Sequence, residues 1–210
     1  MYIPSIYYEE NKKDILAFMQ QYPFAIVIGI ENNFRPIASH LPLTINNVND
    51  KLFLRGHFAK NNELALILHD TTECLVIFSE PHAYISPVNY DKELNVPTWN
   101  YISVHCYGKM MLINDIAESY DQLDEMINSF EPLYLQKWKT MPAEFKDKMI
   151  RGIIPFTIEV KELQASRKLS QNKTIEEQNK IAQSLLQSSI TPIKVIGEEM
   201  LKNINSKING

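Results

Sequence analysis

Short β-type runs separated by turn-forming residues fill the first half of the chain, and this pattern restricts the fold more than any other feature. Phe24–Ile30 is almost entirely apolar, Arg35–Ile45 follows a turn at 31–33, and Lys51–Phe58 follows a second turn cluster at 46–50. Runs this short, bounded by Asn-rich turns, are typical of antiparallel strands joined by tight connections. They lack the regular helix alternation of a parallel sheet.

Further strands are predicted in the rest of the chain. Cys74–Phe78 is a continuous apolar run typical of a buried strand. Tyr101–Ile113 is the longest candidate, with Gly108 as a candidate bulge within it. Its alternation places two sets of side chains on opposite faces: Ile102, Val104 and Cys106 on one, and Ser103, His105 and Tyr107 on the other. Gly152–Leu163 is the last predicted strand.

Apolar residues at helical spacing predict helices at the start, middle and end of the chain. The first spans Glu9–Tyr22 and ends before Pro23, with an apolar face of Ile15, Phe18, Met19 and Tyr22. A short helix is predicted at Asn61–His69 and another at Pro142–Arg151. Asp115 begins a helix through a capping-box-like start, with an apolar stripe of Tyr120, Leu123, Ile127 and Phe130.

The composition changes after Asn172 and predicts a domain boundary there. Residues 1–172 are expected to form one domain, and 173–210 a helical tail rich in Gln, Glu, Lys and Ser. A capping box at Thr174–Glu177 starts the first tail helix, and Thr191 starts the second. The tail is expected to pack on the domain or on a partner subunit. The whole pattern favours a mainly β fold (α+β), an antiparallel barrel with peripheral helices.

Composition and charge restrict the class of protein. The 210 residues carry a net charge of −4, so the chain as a whole is not an electrostatic nucleic-acid binder, although a local basic patch remains open. Cys74 and Cys106 lie in apolar runs and match no zinc spacing, which indicates reduced core thiols. No signal peptide and no membrane-spanning run is recognised, so a cytoplasmic location is expected.

The stretch Pro81–Gly108 is the strongest candidate for a ligand-binding wall. Aromatic rings, two histidines and amide side chains are interleaved there, as a flat amphipathic ligand requires. A second candidate is Arg55–Asn62, where Lys60, Asn61 and Asn62 precede a predicted helix and form a possible phosphate site. The alternative is a solvated turn with Asn61 or Asn62 as the helix cap.

Ser39 and His40 form a third candidate, because a hydroxyl and an imidazole could bond the edge of a heterocycle; the alternative is an exposed strand face. The chain has no GxGxxG and no Walker A motif. Its five histidines form no HExxH or close pair, so no metal site is predicted.

Several sequence blocks, taken in order, are similar to those of the PaiB family, described as FMN-binding negative transcriptional regulators built on the flavin-binding split barrel. The blocks are 38–43 (ASHLPL), 56–57 (GH) with 59–62 (AKNN), 81–87 (PHAYISP), 97–101 (PTWNY) with 104–105 (VH) and 107–108 (YG), and 168–172 (KLSQN). The resemblance starts at Met1 and runs to about Asn172. Where many relatives have a tryptophan after the third block, this chain has Val88-Asn89-Tyr90, and Tyr90 is the available aromatic residue.

The resemblance implies an antiparallel split β-barrel that binds FMN in a groove of a homodimer. The turn at Lys60–Asn62 would hold the phosphate, the strand with Ser39 and His40 would lie along the flavin, and His105 and Tyr107 would line the same groove. Together with the residue patterns, this predicts one set of cofactor-binding residues: Ser39, His40, His57, Lys60, Asn61, Asn62, His82, Asn100, His105, Tyr107, Lys168, Ser170 and Asn172.

Three functions follow as hypotheses, and no catalytic residue is assigned. The first is a flavin-binding transcriptional regulator that acts through a partner protein or its flavin state, with direct DNA contact weakly supported. The second is an FMN-dependent reductase or oxidase of a small molecule, with His82 or His105 as the proton donor. The third is a split barrel that binds haem in place of flavin.

Overall fold

The computed structural model describes residues 1–68 and 73–209, with side chains described through 206. Two predicted end points lie outside these residues: His69, at the end of the short helix, and Gly210, at the end of the tail. The chain divides into two compact units. The first unit comprises Met1–Ile15, Ser79–Val104 and Gln164–Gly210. The second unit comprises Leu16–Phe78 and His105–Leu163.

The described residues form eight strands, β1 (Phe24–Ile30), β2 (Pro36–Pro42), β3 (Thr44–Val48), β4 (Lys51–Ala59), β5 (Glu73–Phe78), β6 (His82–Ile85), β7 (Thr98–Leu112) and β8 (Ile153–Lys168). They pair in the order β2-β1-β5-β7-β8-β4-β3, with β6 attached to β7 outside this path. The path does not close on itself. This antiparallel sheet with separate helices confirms the predicted class, mainly β with peripheral helices.

Alternating burial explains the first hairpin. In β1, Ala25 and Val27 are fully buried while Phe24 and Ile30 remain exposed, so one face of the strand packs on the core. The predicted strand Arg35–Ile45 proves to be two strands, β2 and β3, because the buried Leu43 breaks it. The Leu43 N–H donates to the Pro23 carbonyl at 2.9 Å, so at this point the backbone bonds outside the strand ladders.

Two turn residues and one glycine set the sheet geometry. Asn49 and Asp50 join β3 to β4 with φ of 51° and 62°, the left-handed pair required by a tight hairpin. Gly108 lies inside the continuous strand β7, where a Cβ atom would stand 2.5 Å from the Glu159 carbonyl oxygen. The glycine thus permits a close approach of two backbones. The longest strand is β8, with 16 residues, not the predicted β7.

Seven α-helices occur in the described residues, α1 (Lys12–Gln21), α2 (Glu63–Ile67), α3 (Ile116–Phe130), α4 (Pro132–Thr140), α5 (Ala143–Ile150), α6 (Ile175–Leu186) and α7 (Thr191–Asn209). Sequence reasoning missed α4. In α1, Ile15, Phe18 and Met19 are buried, as the helical spacing predicts. None of the described helices is long and apolar enough to cross a membrane.

The buried face of α3 differs from the predicted apolar stripe. Asp115 caps this helix by accepting a bond from the Glu118 N–H at 2.9 Å, as expected. The buried residues, however, are Ser119, Gln122 and Met126, whereas the predicted stripe is only partly buried. The Gln122 amide donates to the carbonyls of Gly56 at 2.6 Å and Phe156 at 3.2 Å. These hydrogen bonds to the strand backbone, and not the spacing of the apolar residues, determine which face of α3 points inward.

The two tail helices belong to the first unit. Thr174 and Glu177 form the predicted capping box at the start of α6. In α6 and α7, Ile181, Ala182, Ile196 and Met200 are buried. The proposed domain boundary after Asn172 stays a prediction.

Candidate functional site

The turn between β4 and α2, in the second unit, carries three candidate phosphate residues. The Asn62 N–H donates to the Ala59 carbonyl at 2.9 Å, which closes a turn with Lys60 and Asn61 at its central positions. The Lys60 N–H donates to the Gly152 carbonyl at 2.9 Å. Both central side chains are exposed, and Lys60 forms no ion pair with a described residue. A rigid backbone therefore presents an unpaired ammonium group.

Asn62 caps α2 and also contacts β2. Its Oδ1 accepts a bond from the Leu64 N–H at 2.9 Å, and its Nδ2 donates to Ser39 Oγ at 3.0 Å. The cap is the alternative that sequence reasoning left open for Asn61 or Asn62. Because α2 has only five residues, its dipole contributes little to anion binding. Lys60 and the Ser39 hydroxyl are therefore the stronger candidates of this set for a phosphate contact.

Ser39 and His40 lie on opposite faces of β2. Ser39 is opposite Val27 of β1, whose side chain is buried, and His40 is opposite Ile26. The His40 ring is exposed and stacks on Phe24, with ring centroids 6.1 Å apart. One strand face therefore cannot offer both side chains to the same ligand surface.

Two half-buried histidines of the second unit are held neutral. Burial lowers the pKa of His57 and also that of His105. The Nδ1 atom of His105 is buried and has no hydrogen-bond partner among the described residues. A buried polar atom without a partner is costly, which makes this nitrogen a candidate ligand contact. Tyr107 follows two residues later on the same face of β7 and is also partly buried.

In the first unit, Asn100 and Ser170 form a buried pair. The Ser170 hydroxyl donates to Asn100 Oδ1 at 3.1 Å, and the Asn100 Nδ2 group donates to the Met200 sulfur at 3.3 Å. Asn100 is fully buried and Ser170 is 2% exposed. Ser170 has a φ of 63°, a left-handed conformation that is uncommon outside glycine. These two side chains are bonded within the protein, which favours a supporting role over direct ligand contact.

Three other candidates of the first unit have different surroundings. Lys168 donates to Thr98 Oγ1 at 2.6 Å, and burial lowers its pKa. Asn172 is exposed. His82 is exposed beside Trp99, with ring centroids 5.7 Å apart, and its Nδ1 lies 3.9 Å from Glu80 Oε2. His82 thus belongs to a surface aromatic cluster that also contains Tyr84.

Sequence reasoning missed a charged cluster in the second unit. Arg55 Nη1 donates to Glu125 Oε2 at 2.7 Å, and the Asn46 amide donates to the other oxygen of Glu125. Asn46 and Glu125 line a pocket of about 360 Å³, together with residues of α1, β3 and α3. The cluster leaves no local sequence signal, because Asn46 and Arg55 are separated from Glu125 by 79 and 70 positions.

The open antiparallel sheet with separate helices is similar to the fold of flavin-binding split-barrel proteins. Residues 1–162 match the family model described as "Putative FMN-binding domain". The chain is also 33% identical to protease synthase and sporulation protein PAI 2 of Bacillus subtilis over 213 residues, covering 99% of this chain and 100% of the relative. The chain therefore belongs to the PaiB family of proteins with an FMN-binding domain.

Solved structures share the fold at low identity. The flavocytochrome Anf3 from Azotobacter vinelandii has a TM-score of 0.59 and 17% identity, covering 76% of this chain and 68% of that chain. The FAD and heme binding protein from Mycobacterium smegmatis has a TM-score of 0.58 and 14% identity, covering 77% and 73%. Both similarities concern the fold alone.

Proposed function

We propose that this protein binds FMN, with the phosphate at the Ala59–Asn62 turn, and that it regulates transcription through its flavin state or a partner protein. The observation that carries the proposal is the ammonium group of Lys60, which forms no ion pair with a described residue and lies on a turn fixed by two backbone hydrogen bonds. A phosphate dianion fits such a site, because a lysine and a nearby hydroxyl give charge-assisted bonds without a helix dipole. The Ser39 hydroxyl, bonded to Asn62, is that hydroxyl.

The remaining donors also suit a flavin. His105 offers a buried nitrogen without a partner among the described residues, and Tyr107 offers a ring and a hydroxyl on the same strand face. A neutral imidazole can bond the heteroatoms of a flavin ring without adding charge. FMN itself would supply the redox chemistry when bound, and the residues of this chain would bind and orient it.

The direct test is the colour and flavin content of the purified protein. We expect a yellow preparation that releases FMN on denaturation, identified by chromatography against FAD and riboflavin standards. Added FMN should raise the melting temperature of the apoprotein, because a ligand that binds only the folded state stabilises it. A colourless protein whose melting temperature FMN does not change would refute the proposal. A strong Soret band with no flavin would favour haem.

The regulatory part of the proposal excludes direct reading of DNA grooves as the main mechanism. The net charge of −4 opposes phosphate-backbone contacts, which otherwise supply most of the affinity of DNA-binding proteins. We expect the purified protein to bind its own promoter weakly or not at all in a gel-shift assay at physiological salt. Tight binding that weakens steeply with added salt would contradict this mechanism.

An FMN-dependent oxidoreductase is the second candidate function. The observation in its favour is His105, since a neutral imidazole with a free nitrogen can accept and return a proton. Steady oxidation of NAD(P)H by the FMN-loaded protein, lost in His105→Gln, would support it. Flavin that stays oxidised with NADH and NADPH would exclude the oxidoreductase function.

A cytoplasmic location and a homodimer stay predictions.

A further inference from the structure

Lys168 is a partly buried basic residue of the first unit that has no carboxylate partner among the described residues. Its neighbour Arg167 contacts two acidic groups, Glu199 and Glu9, the latter at 3.5 Å. Lys180 is paired with Asp91 at 2.5 Å and Lys202 with Glu199 at 2.7 Å. Lys168 forms no ion pair with any described residue, and its ammonium group donates only to the Thr98 hydroxyl, at 2.6 Å. A partly buried charge without a counter-ion is costly unless a ligand supplies one.

The surroundings of Lys168 are aromatic. Its Nζ atom lies 6.0 Å from the centre of the Tyr7 ring. Burial raises the pKa of Tyr7, and the nearby Tyr101 phenol raises it further. Burial likewise raises the pKa of Tyr90, and further contributions come from Glu177, Tyr7 and Tyr84 in that order. These four tyrosines, Tyr7, Tyr84, Tyr90 and Tyr101, form the tyrosine cluster, and the raised pKa values keep the phenols of Tyr7 and Tyr90 protonated near neutral pH.

A second lysine fixes one side of the cluster. The Nζ atom of Lys173 lies 3.6 Å from the centre of the Tyr90 ring and donates to Asn95 Oδ1 at 2.9 Å. The carboxylate of Asp91, next to Tyr90, accepts a hydrogen bond from Lys180, and the Asp91 backbone N–H donates to Glu177 Oε1 at 3.0 Å. Lys173, which precedes the cap of α6, and Glu177 and Lys180 of α6 therefore hold the Tyr90 loop in place. The aromatic wall is pre-organised, which lowers the cost of binding a rigid ligand.

We propose that Lys168 and the tyrosine cluster bind a small aromatic acid, with the carboxylate or phosphate of the ligand on the Lys168 ammonium group and its ring against the tyrosines. Lys168 provides the charge, and the Thr98 hydroxyl, which accepts from Lys168, keeps its own proton to donate to the anion. Flat rings stack favourably on tyrosine faces, beyond the effect of the buried area alone.

This site does not rest on the proposed FMN phosphate turn. Lys168, Thr98 and the four tyrosines belong to the first unit, whereas Lys60 and Ser39 belong to the second. The inference does change the expected role of Lys168, which the family resemblance assigned to the flavin. Under the present proposal, Lys168 binds a second ligand, and its loss leaves the flavin phosphate contacts intact.

The test uses four small probes on the purified full-length protein: benzoate, phenyl phosphate, benzamide and acetate. Benzamide keeps the ring without the charge, and acetate keeps the charge without the ring. Binding is followed by NMR through the indole N–H signals of Trp99 and Trp138. Trp99 contacts Tyr84, at a centroid distance of 5.9 Å, whereas Trp138 is bonded to Asp124 in the second unit and serves as the internal reference.

We expect the Trp99 signal to shift with benzoate or phenyl phosphate and the Trp138 signal to stay in place. Benzamide and acetate should each bind at least about 10-fold more weakly than the matching aromatic anion, the usual effect of losing a charge-assisted bond or a stacked ring. The stronger of benzoate and phenyl phosphate identifies the anionic group. In Lys168→Gln, the advantage of benzoate over benzamide should disappear. The control Lys202→Gln replaces an exposed, ion-paired lysine of the same unit and should retain the advantage of benzoate over benzamide.

Three results would overturn the inference. The first is equal binding of benzoate and benzamide by the unmodified protein, or no binding of either aromatic anion at millimolar concentration. The second is an unchanged preference for benzoate in Lys168→Gln. The third is a loss of FMN affinity in Lys168→Gln that exceeds the loss of riboflavin affinity, because Lys168 would then contact the flavin phosphate. If only the flavin tests on Lys60 fail, the inference about Lys168 is unaffected.

Discussion

Among the single residues, ion pairing separates the structural basic side chains from those available to ligands. Arg55 and Lys60 lie five positions apart in the candidate phosphate segment, yet Arg55 is held by Glu125 at 2.7 Å and Lys60 forms no ion pair with a described residue. In the first unit, Arg167 and Lys168 show the same contrast between adjacent positions. The local sequence is equally basic in each case, so the difference arises from distant carboxylates.

Replacement of Lys60 by alanine should weaken FMN binding by about 10- to 100-fold, the usual effect of removing a charge-assisted hydrogen bond. Riboflavin, which lacks the phosphate, should bind the variant and the parent protein equally. Fluorescence titration with both flavins measures the difference. Lys51→Ala is the matched control, because Lys51 is an exposed lysine at the start of β4, the strand that precedes the Lys60 turn. Equal losses for the two flavins would place the phosphate elsewhere.

His57 should make the protein less stable as the pH falls. Burial lowers its pKa in the folded state from the ordinary value of 6.5, so the unfolded chain binds the proton more readily. The stabilising contribution is therefore complete above about pH 7 and decreases as the pH falls through 6.5 toward the lower folded value. Urea unfolding between pH 5 and 8 measures this. His57→Gln should flatten the profile, and an unchanged profile in this variant would contradict the prediction.

At the level of secondary-structure elements, helix caps are a feature that local sequence specifies well. The capping box at Thr174 satisfies two backbone N–H groups at the start of α6. Thr174→Ala should lower the free energy of unfolding by about 1 kcal/mol, as cap removal usually does. Chemical denaturation measures the change. Thr140→Ala, at an exposed helix end, is the control. An unchanged stability in Thr174→Ala would show that the cap forms no net interaction.

The contact between β7 and β8 at Gly108 should tolerate no side chain. The nearest atom to an added Cβ is the backbone carbonyl oxygen of Glu159, at 2.5 Å, and a backbone atom within a sheet cannot move aside cheaply. Gly108→Ala should therefore lower the free energy of unfolding by about 1–3 kcal/mol, the usual range for overpacking. Gly152→Ala, where the nearest atom is at 3.2 Å, should cost less. A smaller loss for Gly108 than for Gly152 would contradict the close contact.

For the whole molecule, the remaining prediction concerns assembly. The family resemblance implies a homodimer, and the exposed Phe24–His40 stack on β1 and β2 is an apolar surface of the kind that a second subunit covers. Sedimentation equilibrium should then give twice the chain mass of 24.4 kDa. Phe24→Asp should shift the distribution toward monomers without unfolding the chain, since Phe24 is 64% exposed. A monomer at all accessible concentrations would refute the dimer.

Much of the fold could be predicted from local patterns, and less of the site. Strand β1 and the caps at Asp115 and Thr174 were predicted at their observed positions, because alternation and capping depend on residues only a few positions apart. The prediction of which face of α3 points inward was wrong, because Gln122 donates hydrogen bonds to strand carbonyls that lie 34 and 66 positions away. Predicted site residues were found in both units, and their roles depend on such distant partners.

The sequence by itself determined the class of fold, the family and the set of polar residues from which the site is drawn. Only the tertiary structure decided which of those residues are already bonded and which remain available: Ser170 is committed to Asn100, while Lys60 and Lys168 have no acidic partner among the described residues. The physical reason is that a polar or charged side chain is bonded by the groups that the fold brings within hydrogen-bond distance of it. Neither composition nor spacing contains that information.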